Sequence, residues 1–564
     1  MSSVAEASFD SVSPKATVAN ETPRGFWGGW RERLRLDWMS TALTLIILAG
    51  AVVRFAGGGW GLPLHLHPDE WVIVQGAIDM ATRHSFEPPY YFRPDHLEMQ
   101  LSNLSYLAYA HLLHGESPQN MYPSDPAPFI LISRTITACF GIAMIVVAYL
   151  IGTRFTRAIG VMTSFVVAFY PPFVTNSHFA TPDIPLSFTF MIVVLACMRY
   201  LSSPSWGNLL LASLGVSAGI AIKYPGALGA VMIAVTVTLS GVKARCWSRI
   251  IGHGAAAVGA VLGFLFLISP VLFTNLGVVV LNFTAEAGSS HLGADGLGWF
   301  GNMRFYSEAL ATSTGIILLA CFALGILWSI RLRLAQSVPL WIGAVVWVML
   351  SAVPLHWDRW GLPMYLTPLL IAPVGAYYSF QYLVNRGAVR WRLRGAIGLG
   401  ALAAASLAIG SVAVSGQYIT KNTQTLRSEL AARGIDKTNT VFEGYTPLLP
   451  GNSKLVFDSF EFRADQLVLS SKVRSHQGIR YLVLSSDIDD RFNANPKYAA
   501  EQRFYRQVEK QFPLLASYDP VPTGTPTVLE ISTIWNATRY LQHVAQGGLS
   551  GPTIKVYKIP AMDR

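Results

Sequence analysis

The segment 66–71, Leu-His-Pro-Asp-Glu-Trp, places two adjacent carboxylates where they could do acid–base chemistry. Proline is favoured at the first position of a helix, and acids in the first turn are stabilised by the exposed amide N–H groups and the helix dipole. The pattern predicts a helix that begins at residues 67–70 and continues through Gly76 and Met80. A carboxylate so placed stays ionised, which suits Asp69 or Glu70 to act as a general base. These residues alone fit a plain helix start equally well.

Charged residues beside other apolar runs supply further candidates. Asp183 directly precedes one such run, and four basic residues lie next to others, namely Arg93, Lys223, Arg304 and Arg359. A cation at the hydrocarbon boundary is well placed to bind a lipid phosphate, and a guanidinium can do so through two hydrogen bonds. Each cation alone could instead extend its head group to the interface or form a local ion pair, such as Arg359 with Asp358. Acids and cations together favour a site.

The composition defines the class of protein that carries these residues. Of 564 residues, 52% are hydrophobic and only 13% are charged, and the mean hydropathy is +0.40. Such a chain is too apolar for a soluble globule, so we expect a polytopic membrane protein. The net charge of +10 comes from short basic clusters between apolar runs. This is the pattern of the positive-inside rule, and it argues against a nucleic-acid partner.

The apolar runs predict about eleven transmembrane helices, at residues 39–55, 129–151, 160–174, 184–201, 209–222, 226–239, 255–272, 309–330, 340–355, 364–384 and 396–414. Basic residues at the predicted inner turns place the N-terminus in the cytoplasm and the C-terminus outside, as expected for a bacterial plasma-membrane protein. Pro225 leaves open whether 209–239 is a single kinked helix. An even number of spans would move the tail to the cytoplasm.

The remaining segments predict the domain organisation. Residues 1–38 form a cytoplasmic tail with an interfacial segment, 39–415 a transmembrane catalytic domain with large outer loops at 56–128 and 274–308, and 416–564 a soluble extracytoplasmic α/β domain. Alternating residues predict strands at 454–458, 480–485 and 552–558, and the pattern at 498–512 indicates a helix. The four cysteines lie in or beside predicted spans, so no disulfide framework is expected outside.

Four short motifs resemble those of the integral-membrane GT-C glycosyltransferases, both in their order along the chain and in their predicted position on the outer side of the membrane. They are His-Pro-Asp-Glu at 67–70, Thr-Pro-Asp-Ile-Pro-Leu at 181–186, Ile-Lys-Tyr-Pro at 222–225 and Asp-Arg-Trp-Gly-Leu-Pro at 358–363. The likeness is greatest to the protein O-mannosyltransferase and aminoarabinose transferase branch, the bacterial family 39 type, and covers about residues 40 to 400. It implies a GT-C fold and inverting transfer of a hexose or pentose from a polyprenyl-phosphate donor at the outer leaflet.

The resemblance also implies roles for individual residues. Asp69 matches the base that acts on the acceptor hydroxyl, and Glu70 matches the neighbour that orients the site. Asp183 matches an acid that supports the acceptor or donor sugar, and His67, in the same motif as Asp69 and Glu70, is expected to support the sugar too. Less specific matches imply cations around the donor phosphate, and His356 could donate a hydrogen bond to that phosphate. The candidates for phosphate binding are Lys223, Arg304, Arg359 and His356.

The chemistry of such a transfer agrees with the residues present. Displacing a polyprenyl phosphate requires a base for the acceptor proton and cations for the charge that grows on the phosphate. Some relatives use a divalent metal, but Asp69, Glu70 and Asp183 are too few and too scattered to predict one, so no metal cofactor is expected. The acceptor, whether a protein, a lipid or a glycan, does not follow from the sequence.

The residues argue against two other classes of membrane protein. A transporter or flippase would show paired halves, interrupted helices and ionisable groups near the membrane midplane. Here the predicted spans are nearly free of charge, with Arg134 as an exception, and the polar residues lie in the outer loops. A receptor or scaffold that displays the outer domain would not require Asp69 and Arg359.

Overall fold

A computed structural model describes residues 37–89, 95–286, 297–448, 456–463, 466–470, 478–493, 496–520 and 530–560. The predicted N-terminal tail, apart from its last two residues, and the candidate cation Arg93 lie outside these ranges. The described part is mainly helical, with a small sheet near the C-terminus. The predicted fold class, a mainly α membrane protein with a C-terminal α/β part, is confirmed.

The helices up to residue 419 form the membrane part. They are α1 (Trp38–Phe55), α2 (Glu70–Thr82), α3 (His96–Leu107), α4 (Pro118–Met121), α5 (Ala127–Gly152), α6 (Arg157–Ala168), α7 (Pro171–Asn176), α8 (Asp183–Ser202), α9 (Trp206–Ile222), α10 (Gly229–Lys243), α11 (Trp247–Ile268), α12 (Val271–Thr274), α13 (Leu276–Glu286), α14 (Gly298–Thr314), α15 (Ile316–Arg331), α16 (Ile342–Leu350), α17 (Leu362–Asn385) and α18 (Arg390–Ile419). A π-helix (Ala108–His114) and three 3-10 helices (Tyr224–Leu228, Ala335–Trp341 and Asp358–Gly361) connect them.

Six of these segments are long and apolar enough to cross a membrane: α1, α5, α8, α11, α18 and the stretch Tyr224–Lys243 that contains α10. The bent pair α14 and α15 would make a seventh. The protein is therefore a multi-pass membrane protein. The described residues do not confirm the predicted count of eleven, because several predicted spans are shorter or broken.

Several predicted spans are not continuous helices, and two of them show the physical reason. The run 160–174 divides into α6 and α7 because Pro171 and Pro172 follow Tyr170, which adopts an extended conformation as residues before proline usually do. The run 309–330 is also interrupted, since α14 and α15 meet at an angle of 111°. Gly315 stands at this bend with φ +85°, a conformation that glycine adopts readily.

Residues 209–239 form two helices and not a single kinked helix. The helices α9 and α10 are separate, and the 3-10 helix Tyr224–Leu228 connects them. Gly226 packs back against Gly219 of α9 so closely that a Cβ atom on Gly226 would lie 2.1 Å from the Gly219 carbonyl carbon. Pro225 therefore lies in a turn and does not kink a longer helix.

The main core lies among α5, α8, α9 and α17. Its fully buried side chains include Phe190 and Met191 of α8 and Leu366 and Ile371 of α17. By contrast, α11 exposes a large apolar surface that includes Leu262, Phe266 and Leu267. An extensive exposed apolar surface is characteristic of a helix that contacts lipid.

The C-terminal part contains the strands β1 (Thr440–Phe442), β2 (Phe460–Arg463), β3 (Gln466–Leu469), β4 (Tyr481–Ser485), β5 (Leu514–Tyr518) and β6 (Ile554–Lys558), and the helices α19 (Arg427–Ala432), α20 (Ser486–Asn493), α21 (Ala499–Gln511) and α22 (Glu530–Ala545). Short 3-10 helices lie at Thr423–Thr425, Val456–Ser459 and Pro496–Tyr498. The four-stranded sheet has the order β1-β4-β6-β5, and β2 pairs with β3. β1 runs parallel to β4, and the other pairs are antiparallel.

Most of the predicted C-terminal elements are present. The strands at 480–485 and 552–558 correspond to β4 and β6, and the helix at 498–512 corresponds to α21. The strand at 454–458 is wrong for its described residues, because Val456–Ser459 is a 3-10 helix. The helix α22 packs against α18, where Tyr540 and Ala537 contact Ala413. This contact attaches the C-terminal part to the last apolar helix.

Candidate active site

The acids Asp69 and Glu70 are held at the start of α2. The helix runs from Glu70 to Thr82, with Asp69 immediately before it. The predicted helix start is therefore confirmed. Asp183 has a similar position as the first residue of α8. Both acids therefore stand at helix N-termini.

Glu70 is fully buried and paired with an arginine from α5. Arg134 Nε donates to Glu70 Oε1 and Nη2 donates to Oε2, each at 2.7 Å. Burial alone would raise the pKa of Glu70, but the charge and hydrogen bonds of Arg134 lower it below its usual value. Both Glu70 oxygens therefore have partners, which fix this carboxylate at the start of α2.

Arg134 also holds the loop that precedes the acids. Its Nη1 atom donates to the carbonyl oxygens of Gly58 at 2.9 Å and Trp60 at 2.6 Å. Its guanidinium carbon lies 5.4 Å from the centroid of the Trp60 ring. Arg134 thus connects α5, the segment 58–60 and the start of α2.

Two contacts connect the loop of Asp69 to the loop before α8. The His67 ring stacks on Phe179 with the centroids 4.4 Å apart, and the Ala180 N–H donates to Glu70 Oε1 at 3.1 Å. Burial, assisted by the nearby charge of Arg359, lowers the pKa of His67 to about 4. His67 is therefore neutral at physiological pH, and its Nδ1 atom accepts from the Asp69 N–H at 3.3 Å. We infer that His67 shapes the site and does not carry charge.

Asp69, Asp183, Lys223 and Arg359 form one charge cluster. Arg359 Nη1 pairs with Asp69 Oδ2 and lies 3.9 Å from Asp183 Oδ2. Lys223 Nζ lies 2.7 Å from Asp183 Oδ1. Asp183 is almost wholly buried, whereas the side chains of Arg359 and Asp69 are 22% and 21% exposed. The cluster therefore has a buried end at Asp183 and an accessible end at the Asp69–Arg359 pair.

The cluster is built by helix ends that are distant in sequence. Lys223 follows α9, and Arg359 lies in the 3-10 helix that precedes α17. Lys223 Nζ also lies 4.9 Å from the centroid of the Trp360 ring, a distance that allows a cation–π interaction. The two cations are thus held near each other as well as near the acids.

The two other residues predicted around the phosphate are placed differently. His356 is buried, and its ring packs against Phe305 with the centroids 4.4 Å apart. Arg304 is 80% exposed on α14 and pairs with Glu308 one turn further on. The roles of both residues around a donor phosphate remain predictions.

Arg134 is the functional residue that sequence reasoning did not assign. The available signal was its charge inside an apolar run, because ionisable residues within membrane helices are rare and usually paired. Its partner could not be inferred, since 64 residues separate Arg134 from Glu70.

The acidic residues do not form an evident metal site. In the part of the chain that the structure describes, no three His, Cys, Asp or Glu side chains converge in a way that could hold a metal ion. Asp69 and Asp183 instead have basic partners. The expectation of a reaction without a metal cofactor remains a prediction.

Comparison with known proteins agrees with the motifs. Residues 132–273 match the family model described as dolichyl-phosphate-mannose-protein mannosyltransferase. The match covers about a quarter of the chain and includes Asp183 and Lys223. Over these residues the chain is similar to that family, in the same region as two of the four motifs. None of the curated proteins gives a significant match.

Two crystal structures of ArnT from Cupriavidus metallidurans resemble this chain. The apo structure aligns with 15% sequence identity and a TM-score of 0.45, over 70% of this chain and 73% of ArnT. The structure bound to undecaprenyl phosphate aligns with 17% identity and a TM-score of 0.43, over 69% of this chain and 71% of ArnT.

Proposed function

We propose that the protein transfers a monosaccharide from a polyprenyl-phosphate donor to an acceptor hydroxyl, with inversion, at the outer face of the membrane. The observation that carries this proposal is the charge cluster, in which a partly exposed carboxylate and a partly exposed guanidinium are adjacent. The description of the family that residues 132–273 match names a donor of this chemical class, dolichyl-phosphate mannose.

The cluster supplies the two functions that an inverting displacement requires. The acceptor oxygen forms a bond to the anomeric carbon as the bond from that carbon to the phosphate oxygen breaks, and the acceptor proton passes to Asp69. The departing polyprenyl phosphate gains negative charge, which Arg359 and Lys223 stabilise. Asp183 holds Lys223 at 2.7 Å and so keeps this cation in place.

The pairing of Asp69 with Arg359 suggests how the site is switched on. While Arg359 is paired with Asp69, the carboxylate is engaged by a cation. A donor phosphate can compete with Asp69 for Arg359, because a guanidinium also binds phosphate through two hydrogen bonds. Donor binding therefore releases Asp69 to accept the proton of the acceptor hydroxyl. This order makes the base available only when a donor is bound.

The sidedness is part of the same proposal. The positive-inside pattern places the N-terminus in the cytoplasm and α2 outside, so the donor is taken from the outer leaflet. No metal cofactor is required by this scheme, since Arg359 and Lys223 provide the positive charge.

The test is a transfer assay in proteoliposomes with labelled polyprenyl-phosphate sugars and an extract of envelope glycans, lipids and proteins as acceptors. We expect labelled product from the wild type, and less than about a hundredth of its rate from Asp69→Asn, given the usual size of general-base effects. Asp458→Asn, on an exposed residue of the C-terminal part, is the matched control.

Retention of the wild-type rate by Asp69→Asn would remove Asp69 as the base. If the label crosses the bilayer with its donor chemically unchanged, the protein is a transporter or flippase and the proposal is wrong.

A further inference from the structure

A cavity of about 360 Å³ lies between the first outer loop and the C-terminal part of the chain. Trp60, His67 and Pro68 form its wall on the side of the membrane part. Gln424 and Ser550 line it from the C-terminal part. Its volume falls within the range of small-molecule sites, roughly 300–1,000 Å³. Because His67 and Pro68 immediately precede Asp69, the cavity adjoins the segment that carries the proposed base.

Two of the polar side chains that line this cavity are buried and have an atom without a hydrogen-bond partner among the described residues. Gln424 is 3% exposed and Ser550 is 4% exposed. Gln424 Nε2 and Ser550 Oγ find no hydrogen-bond partner among the described residues. Buried polar atoms usually have a partner, and leaving one without costs about 1–3 kcal/mol. A ligand that supplies hydroxyl groups would provide both partners.

The lining also indicates the charge of the ligand. None of the described residues that line the cavity is lysine or arginine, whereas Asp487 contributes a carboxyl group. Burial raises the pKa of Asp487, although Arg491 partly opposes this effect. An anionic group would find no cation here and would lie near a carboxyl group. The side-chain amides of Gln417, Asn422 and Gln424 can donate and accept at the same time, which matches neutral hydroxyl groups.

The negative charge of the donor argues against it as the occupant, because the two cations of the charge cluster are not among the described residues that line the cavity. We propose that this cavity binds a neutral, hydroxyl-rich carbohydrate portion of the acceptor and presents its hydroxyl group to Asp69. This inference rests on the proposed function for the identity of the acceptor, but the carbohydrate site itself stands on the cavity alone. It assigns acceptor recognition to residues of both the first outer loop and the C-terminal part.

The test uses the purified full chain in nanodiscs and a panel of neutral methyl hexopyranosides, observed by saturation-transfer difference NMR. The wild type is expected to bind at least one of them. Gln424→Met keeps the side-chain volume and removes the amide, and we expect the dissociation constant to rise about tenfold, equal to about 1.4 kcal/mol. Ser550→Leu places a branched side chain in the cavity and should abolish binding.

Gln546→Met, on an exposed residue outside the cavity, is the matched control and should bind as the wild type does. Melting curves establish that each variant is folded. The Ser550 backbone makes bonds with Lys421 and Thr423 that its side-chain substitution leaves in place. If Ser550→Leu does not fold, Gln424→Met decides the question.

Binding of undecaprenyl phosphate to the same samples separates this inference from the proposed function. The cavity assignment is overturned if no glycoside binds, or if Gln424→Met and a folded Ser550→Leu bind like the wild type, whatever happens with the lipid. If glycosides bind as expected but undecaprenyl phosphate does not, the carbohydrate site stands and the proposed donor is wrong.

Discussion

Removal of Arg134 should destabilise the protein more than any surface substitution, because it leaves the Glu70 carboxylate buried without its partner. In the wild type Arg134 donates two hydrogen bonds to Glu70 and two to carbonyl oxygens of the preceding loop. Breaking a buried ion pair by removing one partner costs about 3–5 kcal/mol. We therefore expect Arg134→Met to lower the free energy of unfolding by about 4 kcal/mol.

The double variant Glu70→Gln with Arg134→Met tests the cause of this loss. Glutamine has nearly the shape of glutamate but carries no charge, so the double variant should be more stable than Arg134→Met alone by about 1–3 kcal/mol. The assay is unfolding in mixed micelles by increasing fractions of sodium dodecyl sulfate, followed by tryptophan fluorescence. If Arg134→Met costs less than about 1 kcal/mol, or if the double variant is no more stable than Arg134→Met, the argument from a buried charge fails.

The pH dependence of the free energy of unfolding tests the same argument. In the wild type Arg134 lowers the pKa of Glu70. Ionised Glu70 therefore stabilises the folded protein at pH values above its unfolded-state pKa of about 4.3. This stabilisation is lost as the pH falls through the folded-state pKa. In Arg134→Met burial should raise the pKa of Glu70 instead. That variant should therefore gain stability as the pH falls from neutrality toward about 4.3, where the wild type gains none from this group.

Two further predictions concern helix ends that hold the site and the C-terminal part. Lys223→Met should lower the free energy of unfolding by about 3 kcal/mol. This is the low end for a broken buried ion pair, because Arg359 still lies near Asp183. A change below about 1 kcal/mol in the same micelle assay would contradict the prediction. Glu530, which is 4% exposed, accepts the Ile317 N–H at the bend before α15. Glu530→Ala should cost about 1–2 kcal/mol, as for the loss of a helix cap, and should increase proteolysis of α22 in the folded protein, whereas an unchanged cleavage rate would argue against an anchoring role.

The parts of the fold that follow local rules were predictable from the sequence. The start of α2 followed from proline and two acids in order, and α8, α11 and α17 followed from long apolar runs. The strand β4 followed from its alternating residues. In each case the residues that determine the element are within it, so local propensity and tertiary structure agree.

The interruptions of the membrane helices were less predictable, because their apolar composition continues across the break. Pro171 and Gly315 are local signals, but prolines and glycines also occur inside intact membrane helices. Pro368 and Pro373 lie within α17, for example. Composition alone therefore favoured continuous spans at 160–174 and 309–330 where the structure has two helices each.

The four residues of the charge cluster were predictable from the sequence, whereas their pairing and the place of Arg134 were not. The sequence motifs bring forward Asp69, Asp183, Lys223 and Arg359, and the structure assembles these four residues. A local pair of Arg359 with Asp358 was the simplest expectation from sequence. Arg359 instead pairs with Asp69, which is 290 residues away in the chain and becomes a neighbour only when α2 and α17 are in place.

The most direct test of the central claim is the affinity for undecaprenyl phosphate of the wild type, Arg359→Ala and Asp69→Asn, measured by native mass spectrometry or by fluorescence titration. Arg463→Ala, which alters an exposed ion pair in the C-terminal part, serves as the control. If the donor phosphate takes Arg359 from Asp69, Arg359→Ala should bind the lipid at least about tenfold more weakly, and Asp69→Asn should bind it as tightly as the wild type or more tightly. An unchanged affinity for Arg359→Ala, or an equal loss for Asp69→Asn, would contradict the exchange of partners on which the account depends.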